Sequence, residues 1–285
     1  MAEKGNAKPR TLKVKTMHKE RADFLKKHSI DGFLPLTTHK TAMRVFNASF
    51  REIERDALEL KIVSLRYKRN QSTINVESQK KLFNAHVAII GCGGLGGNVA
   101  EMLTRIGVGK LTLFDFDLFE EHNLNRQNFS NIENIGKEKV YVVKDALEKI
   151  NSSIEITAFL KRFHPAMDFH LISGADVVVD ALDSPQTKLQ LAKACKESNI
   201  GFVYGAIAGM NGQFTTNNTL ENVYQKGGPG AEVSVGNPSF SVSFAASIQA
   251  AEVVKLILNI GNTLENELLF TDLMSNEFIL LPIKH

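Results

Sequence analysis

A glycine-rich turn between two apolar strands is the feature that most constrains the fold of this chain. Residues 86–90, HVAII, form a short β-branched run typical of a buried parallel strand, and GCGGLGG follows at once. Residues 98–109 then place apolar side chains on one face of a helix that a glycine ends, and KLTLFDFD at 110–117 predicts a second strand. This order predicts one βαβ unit of about 30 residues.

The alternation of strands and helices continues towards the C-terminus. It predicts a doubly wound α/β fold with a mainly parallel, Rossmann-like sheet, helices on both faces and a C-terminal β-hairpin. The predicted elements are a helix and a strand in 138–163, a strand in 175–183, a helix in 187–199, one or two strands in 200–216, a helix in 243–261 and two strands in 268–283.

The N-terminal part has a different character and predicts a separate extension over residues 1–65, before a domain over 66–285. We expect residues 1–15 to be disordered and the following residues to form two or more short helices, because Gly32 and Pro35 interrupt the helical pattern. The basic N-terminus has no apolar core of a secretory signal, and no apolar run approaches the roughly 18 residues of a membrane span. We therefore expect a cytoplasmic protein with no membrane partner.

The glycine turn predicts a phosphate site. Gly91, Gly93, Gly94 and Gly96 match G-x-G-x-x-G between a strand and a helix, where free N–H groups and the helix dipole favour an anion. Asp115 ends the next predicted strand, 19 residues after Gly96, at a position suited to ribose hydroxyls. The motif alone leaves the kind of nucleotide open.

Residues beyond the second strand separate a dinucleotide oxidoreductase from an enzyme that uses ATP. Strand ends in an open α/β sheet face the ligand crevice, so an arginine, a lysine and at least two carboxylates are expected there. This set suits a polyphosphate with magnesium, and a nicotinamide enzyme has no evident use for it. The residues concerned are Asp115, Asp117, Asn123, Arg126, Gln127, Lys139, Asp180 and Asp183.

In their order, GCGGLGG, LTLFDFD, NLNRQ, the lysine of GKEKV and VVDALDS resemble the ThiF/MoeB/HesA family, the bacterial relatives of the ubiquitin-activating enzymes. The resemblance covers about residues 65–285 and includes the late segment GNPSFSVSFAASIQAAEVVKLIL. It implies an adenylyltransferase that activates the C-terminal glycine of a small ubiquitin-like sulfur carrier with a Gly-Gly tail, using ATP and magnesium and releasing pyrophosphate.

The resemblance also implies roles for individual residues. Members are usually homodimers in which an arginine from an RYxRQ-like segment acts in trans, and Arg69 of RYKRNQ is the matching candidate. An arginine suits this role because its planar fork bridges phosphate oxygens and stays protonated. By this resemblance Asp115 would bind the ribose, and Asn123, Arg126 and Gln127 would contact the phosphates. Arg126 would also stabilise charge in the transition state. Lys139 would hold the leaving pyrophosphate, and Asp183 would bind the magnesium ion.

The chain departs from this family pattern in its cysteines. Many relatives carry a zinc site of two CxxC pairs and a cysteine in the long loop before the late helix, whereas this chain has only Cys92 and Cys195. We expect both to be packing residues, so we predict no zinc site and adenylation without sulfur transfer. The glycine-rich residues 225–238 are a candidate guide for the carrier's tail.

Two further functions remain open at this point. One is a relative that activates another carboxylate, such as the family member that dehydrates threonylcarbamoyl-adenosine in tRNA through an adenylate. The basic N-terminus slightly favours a tRNA partner, although a net charge of +3 is too mild to argue for nucleic acid. A non-catalytic scaffold that binds nucleotide is the other, and the combination of Arg126, Lys139 and Asp183 argues against it.

Overall fold

The computed structural model describes residues 9–217, 220, 223 and 235–283, with side chains from residue 18 onward. Contacts divide the chain into two compact units, residues 1–80 and 81–285. The first helix begins at Pro9, so residues 9–15 are helical where the sequence indicates disorder, and proline is well tolerated at the first position of a helix. The expectation of disorder over residues 1–8 lies outside the described residues.

The N-terminal unit contains three helices, as the interrupted helical pattern indicates. Ser49 and Glu52 form a reciprocal capping box at the start of the third helix, with Ser49 N–H donating to Glu52 Oε2 at 2.8 Å. The described elements are α1 (Pro9–His28), β1 (Phe33–Leu34), α2 (Leu36–Phe46), α3 (Phe50–Glu59), β2 (Val63–Ser64), a 3₁₀ turn (Leu65–Asn70) and α4 (Val76–Asn84), which crosses the boundary between the units.

The C-terminal unit is built on an eight-stranded sheet and confirms the predicted fold class. The strand order is β10-β9-β8-β7-β6-β3-β4-β5; the pairs from β7 to β5 are parallel and those from β7 to β10 antiparallel. The strands are β3 (His86–Ile90), β4 (Lys110–Asp115), β5 (Glu155–Leu160), β6 (Val177–Asp180), β7 (Gly201–Ala208), β8 (Asn211–Thr216), β9 (Glu267–Asp272) and β10 (Glu277–Pro282). The hairpin of β9 and β10 closes the chain as predicted.

Helices cover this sheet and bury its central strands completely. The described helices are α5 (Gly94–Ile106), α6 (Lys139–Ile150), the short α7 (Pro165–Asp168), α8 (Pro185–Glu197) and α9 (Ser239–Leu258). Within the described residues α9 is the one helix long and apolar enough to cross a membrane. Half of its apolar stretch is buried, and it packs against α5 and β7, as a core helix does.

Candidate active site

A cavity of about 330 Å³ lies at the carboxyl ends of β3, β4, β5 and β6. The strand order reverses between β3 and β6, and ligands of open α/β sheets bind beside that point. A second cavity of about 320 Å³ adjoins the first and shares part of its wall. Four residues form the shared wall: Arg126, Ala181, Leu182 and Asp183.

Most of the residues predicted from the sequence meet in the first cavity, although they come from four separate parts of the chain. Gly94 lines the second cavity, Gly96 lines neither, and Arg69 belongs to the N-terminal unit. The predicted residues in the wall of the first cavity are Gly91, Gly93, Asp115, Asp117, Asn123, Arg126, Gln127, Lys139 and Asp183.

The glycine turn opens the N-terminus of α5 towards these cavities. Gly91 has a φ of +106°, which only glycine adopts without strain, and Gly93 stands at the N-cap of α5. Gly96 has a packing role instead, because a Cβ there would lie 1.8 Å from the carbonyl oxygen of Gly91. Two of the glycines therefore shape the turn, and the others leave the helix N-terminus accessible to an anion.

Asp115 is held in place by backbone donors at the end of β4. Its Oδ2 accepts from Cys92 N–H at 2.7 Å and its Oδ1 from Asp117 N–H at 2.8 Å. Burial raises the pKa of this carboxyl group, and the two N–H donors oppose that shift. Each oxygen keeps a second lone pair, so the group can still accept hydrogen bonds from hydroxyl groups of a ligand.

Lys139 occupies an unfavourable position that Asp117 compensates. It is the first residue of α6 and is almost fully buried, although the N-terminus of a helix disfavours a positive charge. Its Nζ donates to Asp117 Oδ2 at 3.2 Å, and the side chain of Asp117 is 47% exposed. A lysine placed here against the dipole suggests a task in the cavity rather than in helix stability.

The segment NLNRQ forms one side of the cavity. Asn123 Oδ1 accepts from Glu120 N–H at 3.0 Å, so part of this side chain has a structural task. Arg126 Nη1 donates to the His122 carbonyl at 3.0 Å and to Asn125 Oδ1 at 2.8 Å, which fixes the guanidinium between the two cavities. Gln127 is buried, and among the described residues no donor reaches its Oε1.

The two aspartates of VVDALDS lie in different surroundings. Asp183 is exposed in the wall that the cavities share, and it accepts no hydrogen bond from the described part of the chain. The expectation that Asp180 also faces the crevice is wrong. Its side chain is fully buried, with Oδ2 accepting from Lys188 Nζ at 2.9 Å, because it points from the strand towards α8 instead of towards the strand end.

Sequence reasoning missed the residues that follow β5. Lys161, Arg162 and Phe163 line the first cavity, and the Arg162 guanidinium lies 3.9 Å from the ring centroid of Phe116. Lys161 Nζ also donates to Asp168 Oδ1 at 2.6 Å. The signal was present, since two basic residues and an aromatic one directly follow a parallel strand, but the strand carries no recognisable motif.

The cysteines are buried and unsuited to nucleophilic chemistry. Burial raises the pKa of the Cys92 thiol well above its usual range and that of Cys195 to about 12, so neither forms a thiolate readily. Both are packing residues, as expected. Of the proposed tail guide, residues 225–234 lie outside the described residues. Arg69 is exposed on the 3₁₀ turn, next to the buried Tyr67.

A more voluminous cavity than these two lies elsewhere in the described residues, and its lining does not suit a phosphate ligand. It measures about 740 Å³ and lies at the amino ends of β6 and β7. The ends of α8 and α9 that border it are C-terminal ends, whose partial negative charge disfavours phosphate, and its lysines Lys81 and Lys196 are exposed. We therefore place the candidate site at the smaller pair of cavities.

Comparisons with known proteins bear on the family and the fold of this chain. The model of the ThiF family matches residues 67–285. The molybdopterin-synthase adenylyltransferase of Salmonella typhimurium strain LT2 is 32% identical over 210 residues, covering 71% of this chain and 84% of the relative. The SAMP-activating enzyme E1 of Haloferax volcanii is 30% identical over 229 residues, covering 77% of this chain and 85% of the relative.

Solved structures extend the likeness in fold. The crystal structure of E. coli MccB with succinimide superposes with a TM-score of 0.68 at 25% identity and covers 86% of this chain and 82% of that one. Crystalline PaaA superposes with a TM-score of 0.66 at 22% identity, covering 76% of this chain and 72% of that one. The 86% of this chain that MccB covers is a larger share than residues 67–285 make up. The fold of MccB therefore also resembles part of the N-terminal unit.

Proposed function

The chain belongs to the ThiF family and is an adenylyltransferase of the type for which its curated relatives are named; from this premise we propose its substrate and mechanism. Enzymes of this type use ATP. We propose that this one adenylates the C-terminal glycine carboxylate of a small ubiquitin-like sulfur carrier with a Gly-Gly tail, with magnesium, and releases pyrophosphate. The proposal places the reaction in the cytoplasm, where ATP is abundant.

The observation that carries this proposal is the meeting of a helix N-terminus, Arg126, Lys139 and Asp183 around two adjoining cavities. The first three supply positive charge or N–H donors for phosphate oxygens, and the last supplies a hard oxygen ligand. One cavity would hold the nucleotide, and the other would admit the carboxylate to be activated. Two reactants held side by side gain the rate advantage of proximity.

The nucleoside would lie along the ends of β4 and β5. Asp115 would accept hydrogen bonds from ribose hydroxyls, because both its oxygens keep a lone pair and its position is fixed by N–H donors. Phe116 and Arg162 would form one side of the base subsite, where a planar guanidinium stacked on an aromatic ring offers a flat surface to a purine.

The triphosphate would lie between the glycine turn and Lys139. Asn123, Arg126 and Gln127 would follow the phosphates, with the Gln127 amide beside the backbone of Gly93. Lys139 would hold the departing pyrophosphate, and Asp117 would keep the lysine directed into the cavity. The N–H groups of the first turn of α5 would complete the set of donors.

The residues fit a magnesium ion that arrives with ATP. Among the described residues no group of three or more His, Cys, Asp or Glu side chains could hold a metal by themselves. Magnesium usually takes one or two carboxylates together with substrate phosphates and water, and the unengaged Asp183 can provide one. When bound, the ion would neutralise phosphate charge as pyrophosphate leaves.

In the proposed reaction a carboxylate oxygen of the carrier bonds to the α-phosphorus of ATP. The bond from that phosphorus to the bridging oxygen breaks, and pyrophosphate leaves with the electron pair. Arg126 borders both cavities, so its guanidinium can meet the charge that develops on the α-phosphate. We also propose that the protein is a homodimer, in which Arg69 of one copy supplies a further positive charge to the ATP bound by the other.

Exchange of labelled pyrophosphate into ATP tests the proposal. Carriers ending in Gly-Gly, encoded near the gene of this chain, should each be tried, with the same carrier truncated by its last glycine as the control. We expect exchange that needs the intact tail and magnesium and that Asp183→Asn abolishes. Pyrophosphate exchange that does not depend on any carrier but is stimulated by tRNA would show that the substrate is a tRNA and not a carrier. ATP binding without pyrophosphate exchange in the presence of any of these substrates would contradict the enzymatic proposal.

A further inference from the structure

A buried ion pair lies directly behind the turn that carries Asp183. Asp180 ends β6, Lys188 lies in α8, and their side chains are 0% and 5% exposed. Lys188 Nζ donates to Asp180 Oδ2 at 2.9 Å. Neither side chain lines the candidate site, and no step of the proposed reaction uses them.

This pair connects the turn to three other elements of the C-terminal unit. Asp180 Oδ1 accepts from Leu182 N–H at 3.0 Å, and the Asp180 carbonyl accepts from Gln249 Nε2 of α9 at 2.9 Å. Lys188 Nζ also donates to the Gly205 carbonyl of β7 at 3.4 Å. The turn of residues 181–183 is therefore fixed at its base by α8, α9 and β7.

Stability alone does not explain why a charged pair occupies this place. Removing two ions from water costs several kcal/mol each, and well-packed apolar residues of similar volume often serve as well or better. The pair does one thing that an apolar pair cannot, because Asp180 Oδ1 holds the N–H of Leu182 and Lys188 fixes the orientation of that carboxylate. All three residues of the turn, Ala181, Leu182 and Asp183, line the cavities.

We propose that Lys188 and Asp180 are a positioning pair, which holds the turn of residues 181–183 closed and so directs the Asp183 carboxylate towards the magnesium–ATP site. The proposal rests on the proposed function for the role of Asp183. Lys188 acts through Asp180, Asp180 acts through the Leu182 N–H, and neither touches the substrate. Partners of this kind orient a metal-binding carboxylate, and their loss typically lowers metal affinity by about 10- to 100-fold.

The test replaces the pair by apolar residues of similar size, Asp180→Leu with Lys188→Met. Calorimetry measures ATP binding to the purified full chain in magnesium and in EDTA. We expect the melting temperature and the Kd in EDTA to stay near wild type, whereas the gain in affinity from magnesium falls about tenfold. Asp183→Ala gives the reference for complete loss of that gain.

A second readout needs no ligand. Hydrogen exchange in the peptide that contains Leu182 should be faster in the double variant, because its N–H loses the Asp180 acceptor. The matched control is Glu252→Leu with Lys255→Met, another ion pair of this unit, in which Glu252 accepts from Leu264 N–H. The control should leave both the magnesium effect and the Leu182 exchange unchanged.

An unchanged magnesium effect would overturn the proposal, and unchanged hydrogen exchange at Leu182 would overturn the step through the Leu182 N–H. If the double variant aggregates, Asp180→Asn with Lys188→Met serves instead, because the Asn side chain keeps one oxygen that can accept from Leu182 N–H. We then expect the gain in affinity from magnesium to fall about threefold. If that gain does not fall at all, the proposal is overturned. Failure of carrier-dependent exchange in the wild type would contradict the proposed function only, since these readouts require no carrier.

Discussion

Two lysine–aspartate pairs lie at strand ends of the same sheet, and their surroundings differ sharply. At the end of β4, Lys139 donates to Asp117 at 3.2 Å across the wall of a cavity, and Asp117 is 47% exposed. At the end of β6, Lys188 donates to Asp180 at 2.9 Å, and both side chains are buried. The residue types and distances are similar, so the surroundings decide what each pair can do.

The difference shows how to separate a charged pair that can contact a ligand from one that acts only through its neighbours. A buried pair with every oxygen engaged by a donor has no capacity left for a ligand, whereas a pair at a cavity wall can exchange its contacts when a ligand arrives. Burial raises the pKa of Asp180, and Lys188 opposes that shift. Removing the lysine alone should therefore mainly lower the free energy of unfolding at β6, where the pair is buried, and mainly lower the rate of the reaction at β4, where the pair borders the cavity.

The largest effect is expected where the buried pair is broken on one side. Lys188→Ala leaves the Asp180 carboxylate buried without its cation, which should lower the free energy of unfolding by about 3–5 kcal/mol. Urea denaturation measures this loss, and Lys193→Ala in the same helix, whose partner Glu197 is exposed, should change it little. A loss below about 1 kcal/mol would mean that the two pairs do not differ in the way proposed.

A smaller loss of stability but a large loss of turnover is expected at β4. Lys139→Ala removes the cation that would hold the leaving pyrophosphate, so it should lower the rate of pyrophosphate–ATP exchange by about 100-fold. Melting curves should show a folded protein, because the N-terminus of α6 gains from losing a positive charge. Lys144→Ala, also in α6, is the control, and equal losses in both variants would contradict a role for Lys139 in the site.

The smallest effect is expected at His86, another buried polar group of the sheet, whose contribution to stability can be compared with that of the β6 pair. His86 lies at the amino end of β3, with Nε2 2.8 Å from Thr112 Oγ1 and Nδ1 2.9 Å from the Gly174 carbonyl. Burial lowers the pKa of His86, so the folded state disfavours its protonation. The unfolded state gains that proton near pH 6.5, and the stability that the neutral ring contributes is lost as the pH falls below this value.

Thermal unfolding between pH 7.5 and pH 5 measures this dependence. We expect the melting temperature of His86→Gln to fall less at acid pH than that of the wild type. The rate of pyrophosphate–ATP exchange at pH 7.5 should stay near wild type. Burial also lowers the pKa of His39 in the N-terminal unit, so a remaining slope is expected in the variant. A variant as acid-sensitive as wild type would exclude His86 as a source.

The sequence predicted the fold class well because its signals are local. A β-branched run, a glycine that tolerates positive φ and a helical period each depend on neighbours within a few residues, so β3 was predicted at its observed bounds and β4 close to them. The helix α5 begins at Gly94, about one turn before the predicted start, because its first turn is built from the glycines. The candidate site was also largely predictable, since most of the residues after these strands meet in one cavity. Arg162 and Phe116 were missed because their stacking joins the ends of two different strands.

The sequence by itself determined the glycine turn, the order of strands along the chain and most of the residues that strand ends bring together. Only the tertiary structure decided that Asp183 faces the cavities while Asp180 is buried against Lys188. The two aspartates are three residues apart and carry no local signal that distinguishes them. Burial depends on which helix packs over each side chain, and that is a property of distant segments that come together only in the folded chain.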